Sequence, residues 1–225
     1  TSQHVMKSPA RHEIIKSRSL HHKTREQARN NTTTIKGNSM KTSTIQEPAN
    51  EIPIYGDYDV VVCGGGPAGF AAGVAAGRNG AKTLVIENQI CLGGQATAGL
   101  MGRLGPYHDQ EKFVLGGIAR ETLDRLIAKG DAFVPEAKPI SDKINYWLPY
   151  DPESLKFICD QMIEGAGVDV VFGALVVKPL LKDTSVCGVI FESKAGRYAA
   201  TAKVAIDATG DGDIAVRAGA PYEFG

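Results

Sequence analysis

The stretch "DVVVCGGGPAGFAAG", Asp59 to Gly73, passes from three consecutive valines into a cluster of glycines and out into a chain of small residues. Val60, Val61 and Val62 have no polar interruption, the pattern of a central parallel strand buried on both faces. Gly64-x-Gly66-x-x-Gly69 follows. In such a run the first glycine permits a tight turn, the second lets backbone approach a pyrophosphate, and the third lets the next helix pack close on the strand. Pro67 suits a first helical turn, where its missing N–H is not needed. The free N–H groups of that turn are then left for an anion.

Gly69, Gly73 and Gly77 recur every four residues and share one helix face. Each costs up to about 1 kcal/mol relative to alanine, so something must press on that face, and the sheet is the simplest candidate. Gly80 ends the helix, and Lys82 to Ile86 reads as a second strand finishing at Glu87. An acid at that place accepts the hydroxyls of an adenosine ribose and repels a 2′-phosphate. Strand, glycines, helix, strand and acid together specify a dinucleotide site. They disfavour NADP and leave NAD and FAD open.

Two further stretches bear on that choice. "ENQICLGGQATAGLMG", Glu87 to Gly102, is a glycine-rich loop where a plain NAD fold would move directly to its next helix. Its glycines let backbone lie against a large flat ligand, with N–H groups available to phosphate and ring atoms; a surface loop is the alternative. In "AKVAIDATGDGDIAVRAG", Ala202 to Gly219, Val204 to Ile206 reads as a short strand with small residues at its carboxyl end, where open α/β sheets bind ligands.

"DVVVCGGGPAG", the acid Glu87, "GGQATAG" and "IDATGDGD" resemble, in order and approximate spacing, FAD-dependent oxidoreductases of the glutathione-reductase and fumarate-reductase type of flavin fold. The "GDGD" form is similar to a family described only as FAD-dependent oxidoreductases. The resemblance covers Tyr58 to Gly225. It implies FAD as cofactor and an α/β fold: a Rossmann-like parallel sheet with helices on both faces and an antiparallel hairpin. By position it implies that Gly64, Gly66, Pro67, Ala68 and Gly69 meet the pyrophosphate. Glu87, with Asn88 beside it, would hold the adenosine ribose, and Val176 would lie beneath the base. Gly93, Gly94, Gln95, Ala96 and Thr97 would approach the phosphate and ribityl chain, while Ala208, Thr209, Gly210 and Asp211 would close the site. Asp211 should avoid phosphate, because two anions repel in a partly dry site, and take a sugar hydroxyl or flavin N–H. The alternative is that Asp211 and Asp213 cap the next helix.

Between the motifs, Gly116 and Gly117 interrupt an amphipathic stretch that continues as helix from Ile118 to Lys129, ended by Gly130. Asp151, Pro152 and Glu153 start another helix, with Leu155, Ile158, Cys159, Met162 and Ile163 on one apolar face until Gly165. Val168 to Phe172 resumes the sheet, and Val186 to Phe191 with Arg197 to Ala202 forms a hairpin around "SKAG". Arg103 to Pro149, with Tyr107, His108, Tyr146 and Trp147, has no regular pattern and is a candidate wall over the flavin ring; His108 and Arg103 are candidate base and anion anchor. No catalytic residue is assigned.

The 225 residues carry 25 basic and 25 acidic side chains, but the charge is uneven. Up to Gly56 there are nine basic residues and four acidic, against 16 and 21 beyond it. The first 56 residues, polar and aperiodic, are expected to be a disordered basic tail, with Met40 as a candidate native start and 57–225 as the FAD-binding domain. Nothing aromatic interleaves the tail's charges, so no nucleic acid is expected. There is no signal-peptide core and no apolar run of 18 residues, so the expected location is cytoplasmic, away from membrane. Cys63, Cys91, Cys159 and Cys187 lack CxxC spacing, and no Cys-x4-Cys follows the glycine loop, which disfavours a disulfide reductase.

A flavin carries out hydride and electron transfer itself, so a holder should be more legible than a catalyst. Flavoproteins of this type use a second stretch, after a substrate domain, that contacts the ribityl chain and ring. After "IDATGDGD" only Ile214 to Gly225 remains. The expectation is an FAD-binding portion, incomplete at its C-terminus, of an oxidoreductase acting on a small organic substrate and needing a further half or a second subunit. The rival class is a non-catalytic flavin or nucleotide carrier, or an NAD-binding protein.

Overall fold

The structure is a computed structural model that describes residues 43–105, 114–132 and 148–223. The chain divides into two units, Thr1–Ala49 and Asn50–Gly225. Of the first, only 43–49 is described, exposed and without regular secondary structure. The readings of residues 1–42 and of Met40 lie outside the described residues. Strand β1 begins at Ile54, three residues inside the segment the sequence assigned to the tail, because Ile54 already has a partner in Ala199.

After β1 (Ile54–Cys63) come α1 (Pro67–Arg78), β2 (Thr83–Ile86), the two-residue β3 (Arg103–Leu104), α2 (Gly117–Lys129), β4 (Leu148–Pro149), α3 (Pro152–Gly165) and β5 (Asp169–Val171). Then follow β6 (Ala174–Lys182), β7 (Ser185–Ser193), β8 (Gly196–Asp207) and the five-residue α4 (Asp213–Arg217). The main sheet runs β5-β2-β1-β8-β7-β6. It is parallel from β5 to β8 and antiparallel from β8 to β6, while β3 and β4 pair separately.

The expected hairpin is present, with Ser193 opposite Gly196. Its second strand does not stop at Ala202, however. What reads as a hairpin strand and then a short strand is the continuous β8: Gly196–Thr201 pair with β7, and the strand runs on beside β1 until Asp207 meets Cys63. Alanines and a lysine in its middle hide the continuity, and β1 supplies it by pairing along nearly its whole length.

Alternation along β1 sends Val62 to one core and Val61 and Cys63 to the other, all three fully buried. Val62 and Val85 pack with Phe70 and Val74 of α1 and with Leu155, Ile158, Cys159, Met162 and Ile163 of α3. Val61, Cys63, Leu84 and Ile86 pack with Val176 of β6, Val189 and Phe191 of β7, and Ile214 of α4. Among the described residues helices therefore occupy both faces unequally: on the second face only the short α4 joins the β-meander.

The glycine face of α1 is pressed by more than the sheet. A Cβ on Gly73 would lie 2.8 Å from Val85 and 3.0 Å from Ile163, and one on Gly77 would lie 2.4 Å from the Ala166 carbonyl. Helix α3 starts as read: the Asp151 carboxylate accepts the amides of Glu153 at 2.8 Å and Ser154 at 3.4 Å. Glu121 of α2 bridges Arg78 of α1 and Arg125, and the Arg78 bond above all holds its carboxyl down at about 2. Among the described residues no helix is long and apolar enough to cross a membrane.

Candidate functional site

At the carboxyl ends of β1, β2 and β8 lies a cavity of about 900 Å³, within the range of ligand sites. Its floor is the turn after β1. Gly64 has φ +97°, and a Cβ there would lie 2.5 Å from the Ala208 carbonyl. Gly69 sits behind the turn, where a Cβ would lie 1.8 Å from the Gly64 carbonyl. Gly66 differs from both: a side chain there would meet nothing within 4 Å and would project into open cavity. No side chain caps α1, and its first turn contains no acid. With Gly66, Pro67 and Ala68 in the cavity wall, that N-terminus favours an anion.

Glu87 is 5% exposed and lines the cavity at the end of β2. Its carboxylate is already engaged, accepting the Gly65 amide at 2.5 Å and the Gln89 amide at 2.7 Å. A carboxylate has about four acceptor positions, so two remain for ribose hydroxyls. Glu87 thus ties the glycine turn to β2 as well as forming the wall.

Gly94 crosses the turn closely, its Cβ direction 3.0 Å from Gly66 Cα. Of the loop, Gly94, Gln95 and Gly99 reach the cavity, Gly99 being one of the glycines read as lying against a flat ligand, as does Ala98, which the sequence reading did not single out. Gly93, Ala96 and Thr97 stand behind the wall. The Gly93 amide donates to the Gly65 carbonyl at 2.8 Å, Ala96 is buried in the core, and Thr97 donates its hydroxyl to the Leu92 carbonyl at 2.5 Å. Cys91, half-buried, lies 3.9 Å from the Thr97 hydroxyl.

Asn88, Val176, Ala208, Thr209, Gly210 and Asp211 all line the cavity. So do Ile86, Gln89, Ala174, Leu175, Asp207, Gly212 and Asp213, which were not assigned. Gln89 and Leu175 could have been found as neighbours of Asn88 and Val176. Asp207 carries no local signal. Its Oδ1 accepts the Thr209 amide at 3.1 Å and the Thr209 hydroxyl at 2.7 Å. Its Oδ2 accepts the amides of Ile214 at 2.9 Å and Ala215 at 2.8 Å. Asp207 therefore caps α4 from across the loop, in place of Asp211 or Asp213; Asp213 pairs instead with Arg217 at 3.3 Å. Burial pushes the Asp207 carboxyl up, but the bonds from Ala215, Thr209 and Ile214 outweigh it and hold it below the usual range.

Cys63, behind the cavity floor, is pushed up to about 12 by burial and by nearby Asp207. It is a packing thiol, as is Cys159. Arg103 opens β3 on an exposed position, and Tyr107, His108, Tyr146 and Trp147 lie outside the described residues.

The model of the family "FAD dependent oxidoreductase" matches residues 59–225. The chain belongs to the FAD-dependent oxidoreductase family. Its cofactor is FAD, and the residues present fit it: a side-chain-free approach at Gly66, an uncapped helix N-terminus and a buried acid at the end of β2. Among curated relatives, a thiamine thiazole synthase of Methanococcus maripaludis is 27% identical over 71% of this chain and 58% of its own length. A dihydrolipoyl dehydrogenase of Trypanosoma brucei brucei is 37% identical over 32% of this chain and 17% of its own. Among solved structures, THI4 of Thermovibrio ammonificans superposes with a TM-score of 0.52 and 25% identity, over 72% of this chain and 61% of that one. The chain thus spans less than two thirds of the relatives it matches.

Proposed function

We propose that this chain grips the adenosine and pyrophosphate of FAD in an enzyme that transfers hydride or electrons between a small organic substrate and the flavin. Gly66 carries the reading, as the one glycine of its motif whose missing side chain leaves cavity open rather than serving the protein's own packing. When bound, FAD supplies the redox chemistry. The chain's own residues bind and orient it: the α1 amides face the pyrophosphate, Glu87 accepts ribose hydroxyls, and Gly94, Gln95, Ala98 and Gly99 form the opposite wall.

We further propose that more polypeptide, in continuation or as a second subunit, closes the flavin side. Two observations support this. Among the described residues, β8 beyond Thr201 pairs with β1 on one edge only, and Val204 on that segment is 52% exposed. Leu100 and Met101, at the end of the cavity loop, are 68% and 46% exposed. A reducing cytoplasmic location is consistent with four free cysteines.

The test is titration of the purified chain with FAD and NAD, followed by reduction of bound flavin with organic donors. FAD should raise the melting temperature and NAD should not. A shift with NAD alone would overturn the reading. FAD binding without reduction by any donor, even with the missing portion supplied, would favour a carrier.

A further inference from the structure

Tyr150 is 7% exposed and stands between β4 and α3, with its ring in the core shared by α1, α3 and the cavity loop. Its backbone N–H donates to the Gly102 carbonyl at 3.2 Å. Its hydroxyl lies 2.5 Å from the Ala96 carbonyl and also within bonding distance of the Met101 carbonyl. One residue thus reaches both limbs of the loop that carries Gly94, Gln95, Ala98 and Gly99 into the cavity wall. The Gly93 amide anchors the start of that loop to the Gly65 carbonyl, and beyond Gly93 its backbone bonds are short-range, among them Gly99 N–H to Gly94 O and Met101 N–H to Gln95 O, each 3.1 Å. Met101 O also accepts the Arg103 amide at 2.8 Å, so the hydroxyl matters most at Ala96. The residue after Tyr150 is Asp151, the cap of α3, which fixes the tyrosine to a helix rather than to another loop.

We propose that Tyr150 is a positioning residue for FAD, its hydroxyl setting the Ala96–Met101 segment so that Gln95, Ala98 and Gly99 meet the flavin-side half of the dinucleotide. This rests on the reading that the loop faces the ribityl side while Glu87 and Gly66 face the adenosine side. A phenylalanine keeps the buried ring and removes only the hydroxyl. The adenosine half, with its own floor and acid, should not register the change.

The experiment compares the full chain with Tyr150→Phe for binding of FAD and of ADP, alongside amide hydrogen exchange without ligand. In the variant, FAD affinity should fall about tenfold, the size expected for one lost buried hydrogen bond, while ADP affinity stays within about twofold. Exchange at the Gly99 and Met101 amides should quicken, with β1 and β2 unchanged. If FAD and ADP weaken together and exchange rises throughout, Tyr150 is merely structural and the proposal is overturned. If wild type prefers FAD and the variant keeps that preference, the proposal alone is overturned. If wild type binds ADP as tightly as FAD, the ribityl-side reading of the loop fails and takes the proposal with it.

Discussion

Gly69 and Gly66 belong to one motif, three residues apart, and do opposite jobs. A Cβ on Gly69 would sit 1.8 Å from the Gly64 carbonyl, whereas one on Gly66 would touch nothing within 4 Å. The first glycine is demanded by the protein's own backbone and the second by something the cavity accommodates. A glycine motif therefore mixes folding requirements with binding requirements, and only the surroundings of each position tell them apart.

The sharpest way to break that comparison is to fill both positions. Gly69→Ala drives a methyl into backbone that cannot swing aside, and should cost about 3 kcal/mol or more. That corresponds to a melting temperature lower by roughly 10 °C without any ligand. Gly66→Val should leave the melting temperature of the free protein within a few degrees, because Gly66 has φ −61° and ψ −173°, which valine adopts readily. It should weaken FAD at least about a hundredfold, since the side chain occupies pyrophosphate space. Thermal melts and FAD titrations of the two variants should give opposite patterns; a Gly66→Val protein with unchanged affinity would mean that the cavity takes its ligand elsewhere.

Glu87 combines the two roles in one side chain. From the sequence alone it stands at a strand end, where Glu87→Gln should weaken the ribose contact and spare the fold. The structure changes the second half of that expectation. Both carboxylate oxygens accept backbone amides, from Gly65 and Gln89. A glutamine must turn its NH₂ toward one of them and leave donor facing donor. Glu87→Gln should therefore weaken FAD ten- to a hundredfold and also destabilise the free protein by about 1–3 kcal/mol. A free-protein melt identical to wild type, beside weaker binding, would assign Glu87 to the ligand alone.

What was legible in the sequence follows the range of the interactions. Helix α3 reads directly, because its cap and apolar face lie within consecutive turns of one segment. The turn after β1 reads because its glycines are adjacent. Tyr150 does not, since the carbonyls near its hydroxyl are 54 and 49 residues away. Nor does the continuity of β8, whose middle is small and polar and is held in the sheet by β1. Of the meander, the β7–β8 hairpin reads and β6 does not, because β6 has no sustained alternation: two register shifts, near Val177 and Leu181, break its periodicity.

Asp207 shows how, inside a recognised motif, a task can be given to the wrong residue, and it yields the smallest expected effect. "DATGDGD" draws attention to its later acids, yet the first Asp is the one whose carboxylate accepts four donors, two from Thr209 and two from the first turn of α4. Its folded pKa is depressed, so its contribution is fully present above the unfolded value of about 3.9 and is lost as pH falls through the folded one. Asp207→Asn replaces one acceptor oxygen with a donor and removes the charge. At pH 7 the variant should be less stable by about 1–2 kcal/mol, a melting temperature lower by a few degrees. Moving from pH 7 to pH 5 should leave the gap between variant and wild type unchanged, because both values lie below that window. Below about pH 4 the gap should narrow, as protonation makes the wild-type side chain a neutral donor and acceptor like asparagine. Paired melts at pH 7, 5 and 3.5 would decide it. A gap that persists undiminished at the lowest pH would show that ionised Asp207 is not what holds α4 to the end of β8.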